Sequence, residues 1–276
     1  MARNATKVSF LIAGFQKCGT TSLADAVAKH PKIEMCSQKE PGYFNKKNPK
    51  LSSDFTYHEL FNFENARSDT LFFEATTSYS WVLQYPNSVE SAYKYNPDMK
   101  LIFVIRDPIK RIESQYQHEY LKAQEARVID VAVTSNPSYI SRSMYYMQIS
   151  WWRRLFPVDN ILIIKLEDLK VDPERTLRDI WRFLDLQPIE SSELHIENLN
   201  KYLDLKKPMA IKRVIAPLFR WVPLELRLFA RRLLYSSATV DGELAPHTLE
   251  VLKQHLRADN ELLSREFGVG YNIDKC

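Results

Sequence analysis

The chain has 276 residues, 45% of them apolar, which is enough to bury one sizeable core and sets the expectation of a single domain over 1–276. Charged residues make up 26%, and the formal net charge of +4 excludes a polybasic nucleic-acid binder while leaving room for local anion sites. Three cysteines, Cys18, Cys36 and Cys276, lack metal-like spacing, which excludes a disulfide framework or a zinc site and points to a reducing compartment.

In chain order, residues 8–14 form a short apolar run without clean alternation, the pattern of a strand buried on both faces of a parallel sheet. Residues 20–29 read as a helix stopped by His30-Pro31, and residues 33–36 as a short strand. Apolar runs recur at 71–75, 101–105 and 161–164, separated by helical patterns at 89–95, 109–122 and 145–156 and followed by one at 173–184. Strands alternating with helices predict an α/β fold, a P-loop-like central parallel sheet flanked by helices.

Strand signals stop near residue 190. Residues 206–235 carry eight Lys or Arg against one acid, Glu225, so the part spanning 190–245 is expected to be helical and basic. It reads as a subdomain with a solvated face, as a lid or acceptor region, or, through 206–232, as a peripheral membrane contact. A last helix, 248–267, completes a helical C-terminal part. The first strand begins at Val8 and no stretch approaches ~18 apolar residues, so the expectation is a cytoplasmic protein without a membrane span.

The chemistry concentrates in two places. Gly14 and Gly19 are spaced as in the phosphate loop G-x-x-x-x-G-K-[ST], but Thr20 and Thr21 follow where that motif has Lys, and the lysine sits earlier, at Lys17. Glycines, threonine hydroxyls and helix amides still suit an anion. The second place follows the run 101–105: Arg106-Asp107-Pro108, then Arg111, Ser114 and Tyr116. A Mg²⁺-dependent nucleoside triphosphatase usually ends that strand in an acid. Here Arg106 offers a bidentate fork and Ser114 a hydroxyl to a second phosphate. Asp107-Pro108 reads as a helix N-terminus, and Arg111 is open to the reading of a solvated helix charge.

These residues resemble the sulfotransferases that use 3′-phosphoadenosine-5′-phosphosulfate (PAPS). Phe15 to Leu23 is similar to that family's 5′-phosphosulfate loop, and Arg106 to Tyr116 to its 3′-phosphate motif. The strings HP, KEPGYF and EATTSY resemble the heparan-sulfate and bacterial carbohydrate and natural-product branch, and similarity extends through Trp151, Leu166-Glu167-Asp168-Leu169 and FLDL, covering about residues 8–186. The resemblance implies that Lys17 neutralises the oxygen bridging sulfur and phosphate. Gln16, Lys17, Cys18, Gly19, Thr20, Thr21 and Ser22 would bind the 5′-phosphosulfate, and Arg106 and Ser114 the 3′-phosphate. A sulfuryl group carries less charge in transfer than a phosphoryl group, so positioned cations and amides can act without a metal.

Glu40 stands where the branch carries its catalytic glutamate; Glu74 and His118 are further candidates for the base. Cys18 and the PGYF string depart from the family pattern. Cys18 is either a packing residue or a thiol activated by Lys17 and the helix. The expected acceptor is a hydroxyl or nitrogen of a small molecule, among them a cationic natural product that Glu40 and Glu74 would suit, or of a glycan, with the enzyme a monomer or homodimer. The rival readings are an ATP-dependent P-loop small-molecule kinase and a non-catalytic nucleotide-binding or membrane-surface module.

Overall fold

In the computed structural model, described over residues 7–51, 53–189 and 244–275, five strands make one parallel sheet. The elements in chain order are β1 (Val8–Gly14), α1 (Thr20–Val27), β2 (Ile33–Met35), α2 (Asp54–His58), β3 (Leu71–Ala75), α3 (Ser88–Tyr95), β4 (Lys100–Ile105) and α4 (Pro108–Leu121). They continue with α5 (Ile129–Ser135), α6 (Ser138–Ser141), α7 (Tyr145–Arg153), β5 (Ile161–Lys165), α8 (Leu166–Val171), α9 (Pro173–Phe183) and α10 (Pro246–Phe267).

The strand order is β2-β3-β1-β4-β5, all neighbours parallel, with Leu11 opposite Glu74 on one side and Leu101 on the other. The apolar runs of β1 and β4 are fully buried, as strands covered on both faces require. Phe10 stacks on Phe73 of β3 at a centroid distance of 4.6 Å. A second core joins Ile109, Ile112 and Tyr116 of α4 to Ile129 and Val133 of α5 and to Leu252 and Leu256 of α10, so the last helix braces α4.

All five expected strands and the expected long helices are present. Residues 20–29 were expected to be helical throughout, but α1 ends at Val27. The Lys29 and His30 amides turn to the carbonyls of Ala26 and Val27, three residues back, which tightens the last turn into 3₁₀ geometry. Four short helices, α2, α5, α6 and α8, have no counterpart in the sequence reading. α2 is nonetheless marked by a capping box, in which Ser53 and Thr56 each cap the other's backbone amide. The basic segment 206–232 lies outside the described residues. Among the described residues no helix is long and apolar enough to cross a membrane.

Candidate active site

The sheet places three loops side by side at its carboxyl ends, where open α/β folds bind ligands: the one after β1 at the centre, that after β3 on one side and that after β4 on the other. The central loop turns tightly. Gly19 has φ 83°, and a Cβ there would lie 2.6 Å from Leu166 Cδ1; at Gly14 a Cβ would lie 2.7 Å from Ser80 Cβ. Both glycines therefore answer to close packing, and Gly19 also to a left-handed backbone. Gly19 is the N-cap of α1 and, being glycine, offers no side-chain cap, so the helix's positive end faces the loop.

Cys18 points the other way, fully buried, with Sγ 3.8 Å from the Tyr145 hydroxyl. Burial pushes its thiol up to about 12, opposite to the shift an activated thiolate needs, so Cys18 is a packing residue.

On the β4 side, Arg106 leaves the strand end and its Nη1 lies 3.5 Å from the Lys17 carbonyl. Its backbone is fixed by Tyr145, which donates to the Arg106 carbonyl at 2.7 Å while its ring packs edge-on against Phe15 at 4.6 Å. Asp107 caps α4, its Oδ1 accepting from the amides of Ile109 and Lys110 at 2.9 and 3.0 Å. Arg111 is a correction to the sequence reading: it is no solvated charge but wholly buried. It donates to Ser143 Oγ, Gln115 Oε1 and the Tyr139 carbonyl, and so ties α4 to α6 and to the turn before α7. Ser114 is buried on the same helix.

A cleft of about 860 Å³ runs across these loops. Gln16, Lys17, Gly19, Thr20, Thr21 and Ser22 line its centre, and Glu40, Lys39, Lys47, Thr77 and Trp81 enter from the loops after β2 and β3. Arg106, His118 and Lys122 come from β4 and α4, and Leu166 and Lys170 from α8. Among the described residues this lining brings together Lys17, Arg106, Glu40 and His118 but does not include Cys18, Ser114 or Glu74. Among the described residues its charge is one-sided: six Lys or Arg against Glu40.

Glu74 is instead fully buried below the cleft. Its Oε1 accepts from Tyr57 at 2.8 Å and Tyr79 at 2.6 Å, and its Oε2 from Thr76 at 2.5 Å. Desolvation outweighs these three donors and pushes the carboxyl up to about 7, with the Glu40 charge adding to the rise.

Sequence reasoning missed Trp81 and Arg142. The guanidinium of Arg142 lies 3.7 Å from the Trp81 ring centroid and Lys47 Nζ 5.3 Å from it; Arg142 also reaches Gln16 Oε1 at 3.5 Å. Trp81 stands two residues beyond the EATTSY string, whereas Arg142 arrives from a distant helix junction with no local signal.

The family model described as "Sulfotransferase domain" matches residues 7–211, about three quarters of the chain. The chain belongs to the sulfotransferase family. Relatives of the chain include the membrane-associated sulfotransferase kil1 of Dictyostelium discoideum, 22% identical over 69% of this chain and 59% of that one. Mouse carbohydrate sulfotransferase 15 is 22% identical over 67% and 45%, and mouse heparan sulfate glucosamine 3-O-sulfotransferase 5 is 24% identical over 64% and 53%. The chain thus matches about half the length of these relatives. Among solved structures, a sulfotransferase from Alicyclobacillus acidocaldarius shares the fold, with a TM-score of 0.70 at 18% identity over 98% of this chain and 99% of that one. Mouse sulfotransferase SULT7A1 complexed with PAP does so with a TM-score of 0.53 at 14% identity, over 99% and 91%.

Proposed function

We propose that this sulfotransferase moves a sulfuryl group from PAPS to a hydroxyl or nitrogen of a small-molecule or glycan acceptor. The observation that carries the reading is that Lys17 and Arg106, on loops after adjacent strands, line one cleft together with the uncapped start of α1. The donor set fits such a molecule: amides and hydroxyls of Gly19 to Ser22 for a phosphate at a helix N-terminus, a lysine beside them, and an arginine fork further along. When bound, PAPS supplies the sulfuryl group and an adenosine bisphosphate leaving group.

The chain's residues then divide the work. Lys17 holds positive charge against the oxygen from which the sulfuryl group departs, and the α1 amides with Thr20, Thr21 and Ser22 hold the 5′-phosphate. Arg106 would hold the 3′-phosphate, while Ser114, buried on α4, lies outside the cleft lining. Glu40 takes the proton of the attacking hydroxyl or amine, entering the cleft from the β2 side, opposite Arg106. His118 is the second candidate for that proton.

Two features weigh against the kinase reading and against a cationic acceptor. Asp107, the carboxylate at the strand end where a metal-dependent kinase would place an acid, is engaged in capping α4. A cleft with six cations to one acid, and with Glu74 withdrawn from it, disfavours a cationic acceptor; Lys47, Trp81 and Arg142 suit an acceptor that is neutral or carries an anionic group.

Isothermal titration calorimetry with 3′-phosphoadenosine-5′-phosphate, with and without Mg²⁺, tests the reading. Saturable binding without Mg²⁺ that is lost in Arg106→Ala is expected. Absence of binding would remove it, and ATP binding that requires Mg²⁺ and ignores Arg106 would favour the kinase.

A further inference from the structure

Glu74 lies outside the cleft, yet its hydrogen bonds lead to it. Thr76 Oγ1 donates to Glu74 Oε2 and accepts the amide of Gly42 at 3.3 Å. The Tyr79 hydroxyl donates to Glu74 Oε1 and accepts the amide of Phe44 at 3.2 Å. A hydroxyl has one proton, so a carboxylate that takes it leaves the oxygen lone pairs for another donor. Glu74 thereby orients two hydroxyls so that both present acceptors to the segment just after Glu40.

That segment needs such restraint. Glu40 and Gly42 both have left-handed backbones, φ 49° and 66°, and Glu40 itself is exposed. The third donor to Glu74, Tyr57, stacks on Tyr43 at 4.1 Å with ring planes 7° apart, which adds an apolar clamp to the same loop. Asn45 Nδ2 donates to Ser78 Oγ at 2.8 Å and closes the far end. The loop thus hangs from β3 and the turn after it by bonds that converge on one buried carboxyl.

We propose that Glu74 is a positioning residue for sulfuryl transfer: through Thr76 and Tyr79 it fixes the 40–44 loop and so sets where the Glu40 carboxylate stands in the cleft. The inference rests on the reading of Glu40 as the base. It also accounts for a glutamate kept in a strand interior between Phe73 and Ala75, where an apolar residue would pack at no desolvation cost. Glutamine at this position retains the shape but has one acceptor oxygen, so it cannot receive all three hydroxyl protons.

The test uses the full chain loaded with 3′-phosphoadenosine-5′-phosphate, and Glu74→Gln, with Thr76→Ala as a milder variant that leaves the carboxyl in place. Amide hydrogen exchange at Gly42 and Phe44 is expected to quicken at least tenfold in Glu74→Gln, and at Gly42 in Thr76→Ala, while Phe15, bonded to the Val104 carbonyl, stays unchanged. Turnover of PAPS with a panel of 4-nitrophenyl glycosides is expected to fall about 10- to 100-fold in kcat for Glu74→Gln, with the nucleotide affinity kept. The same substitution made on a Glu40→Gln background should slow transfer no further, since both act through one carboxylate. Unchanged exchange at Gly42 and Phe44, or equal slowing on both backgrounds, overturns the proposal. If Glu40→Gln alone leaves the rate intact, the base reading falls first and this inference with it, a pattern distinct from failure of Glu74 alone.

Discussion

The two sides of the cleft are built by different means. The Lys17 and Arg106 side is made of backbone: a tight turn, an uncapped helix start and a strand end, held to each other by one tyrosine. The Glu40 side is made of side chains, a loop suspended on hydroxyls that report to a buried carboxyl. A backbone grip is fixed by the sheet that carries it and tolerates change in its neighbours. A side-chain scaffold can be unfastened by one substitution far from the chemistry, and it responds to pH.

The sharpest way to separate the sides is Glu40→Gln, which should cut the transfer rate by roughly 10²–10⁴-fold while nucleotide affinity, measured by calorimetry, is preserved. Lys17→Ala should do the reverse in kind, lowering nucleotide affinity as well as the rate, the latter by about 10²–10³-fold. If both variants lose rate and affinity alike, the two sides are not functionally distinct.

The difference in pH response between the parent and Glu74→Gln probes the side-chain scaffold. The Glu74 carboxyl, raised from an ordinary 4.5 to about 7 by burial, binds its proton more tightly in the folded chain than in the unfolded one. Stability from this group is therefore present at low pH and lost as pH climbs from about 4.5 through about 7. The span is on the order of 3 kcal/mol, and unfolding free energies from urea titrations at pH 5 and pH 8 should differ less in Glu74→Gln than in the parent by about that much. The smallest effect tests the backbone side: Gly19→Ala must shift Leu166 and hold alanine in a left-handed backbone, at a cost of about 1–2 kcal/mol in a denaturation curve.

This division also explains what the sequence could convey. The strands and long helices follow from apolar periodicity, and the 15–23 loop and Arg106 from motifs whose parts are close together in the chain. Asp107-Pro108 announced a helix start, and the structure has one there. The sequence leaves Arg111 open to a solvated reading because its burial depends on α6 and the turn after it closing over α4, which no spacing within α4 encodes. Glu74 was legible as a candidate but not as a buried one: its strand pattern does not say which face a distant loop covers. Tyr145 and Arg142 were out of reach, since each acts on a loop more than a hundred residues earlier.

Tyr145 carries a last consequence. Its hydroxyl grips the Arg106 backbone while its ring is wedged against Phe15, so the loops after β1 and β4 stand at a separation set by the core. On the proposed reading the cleft would work as a gauge with fixed jaws: a nucleotide charged at one end alone, or at a different span, would engage a single jaw and forfeit the other.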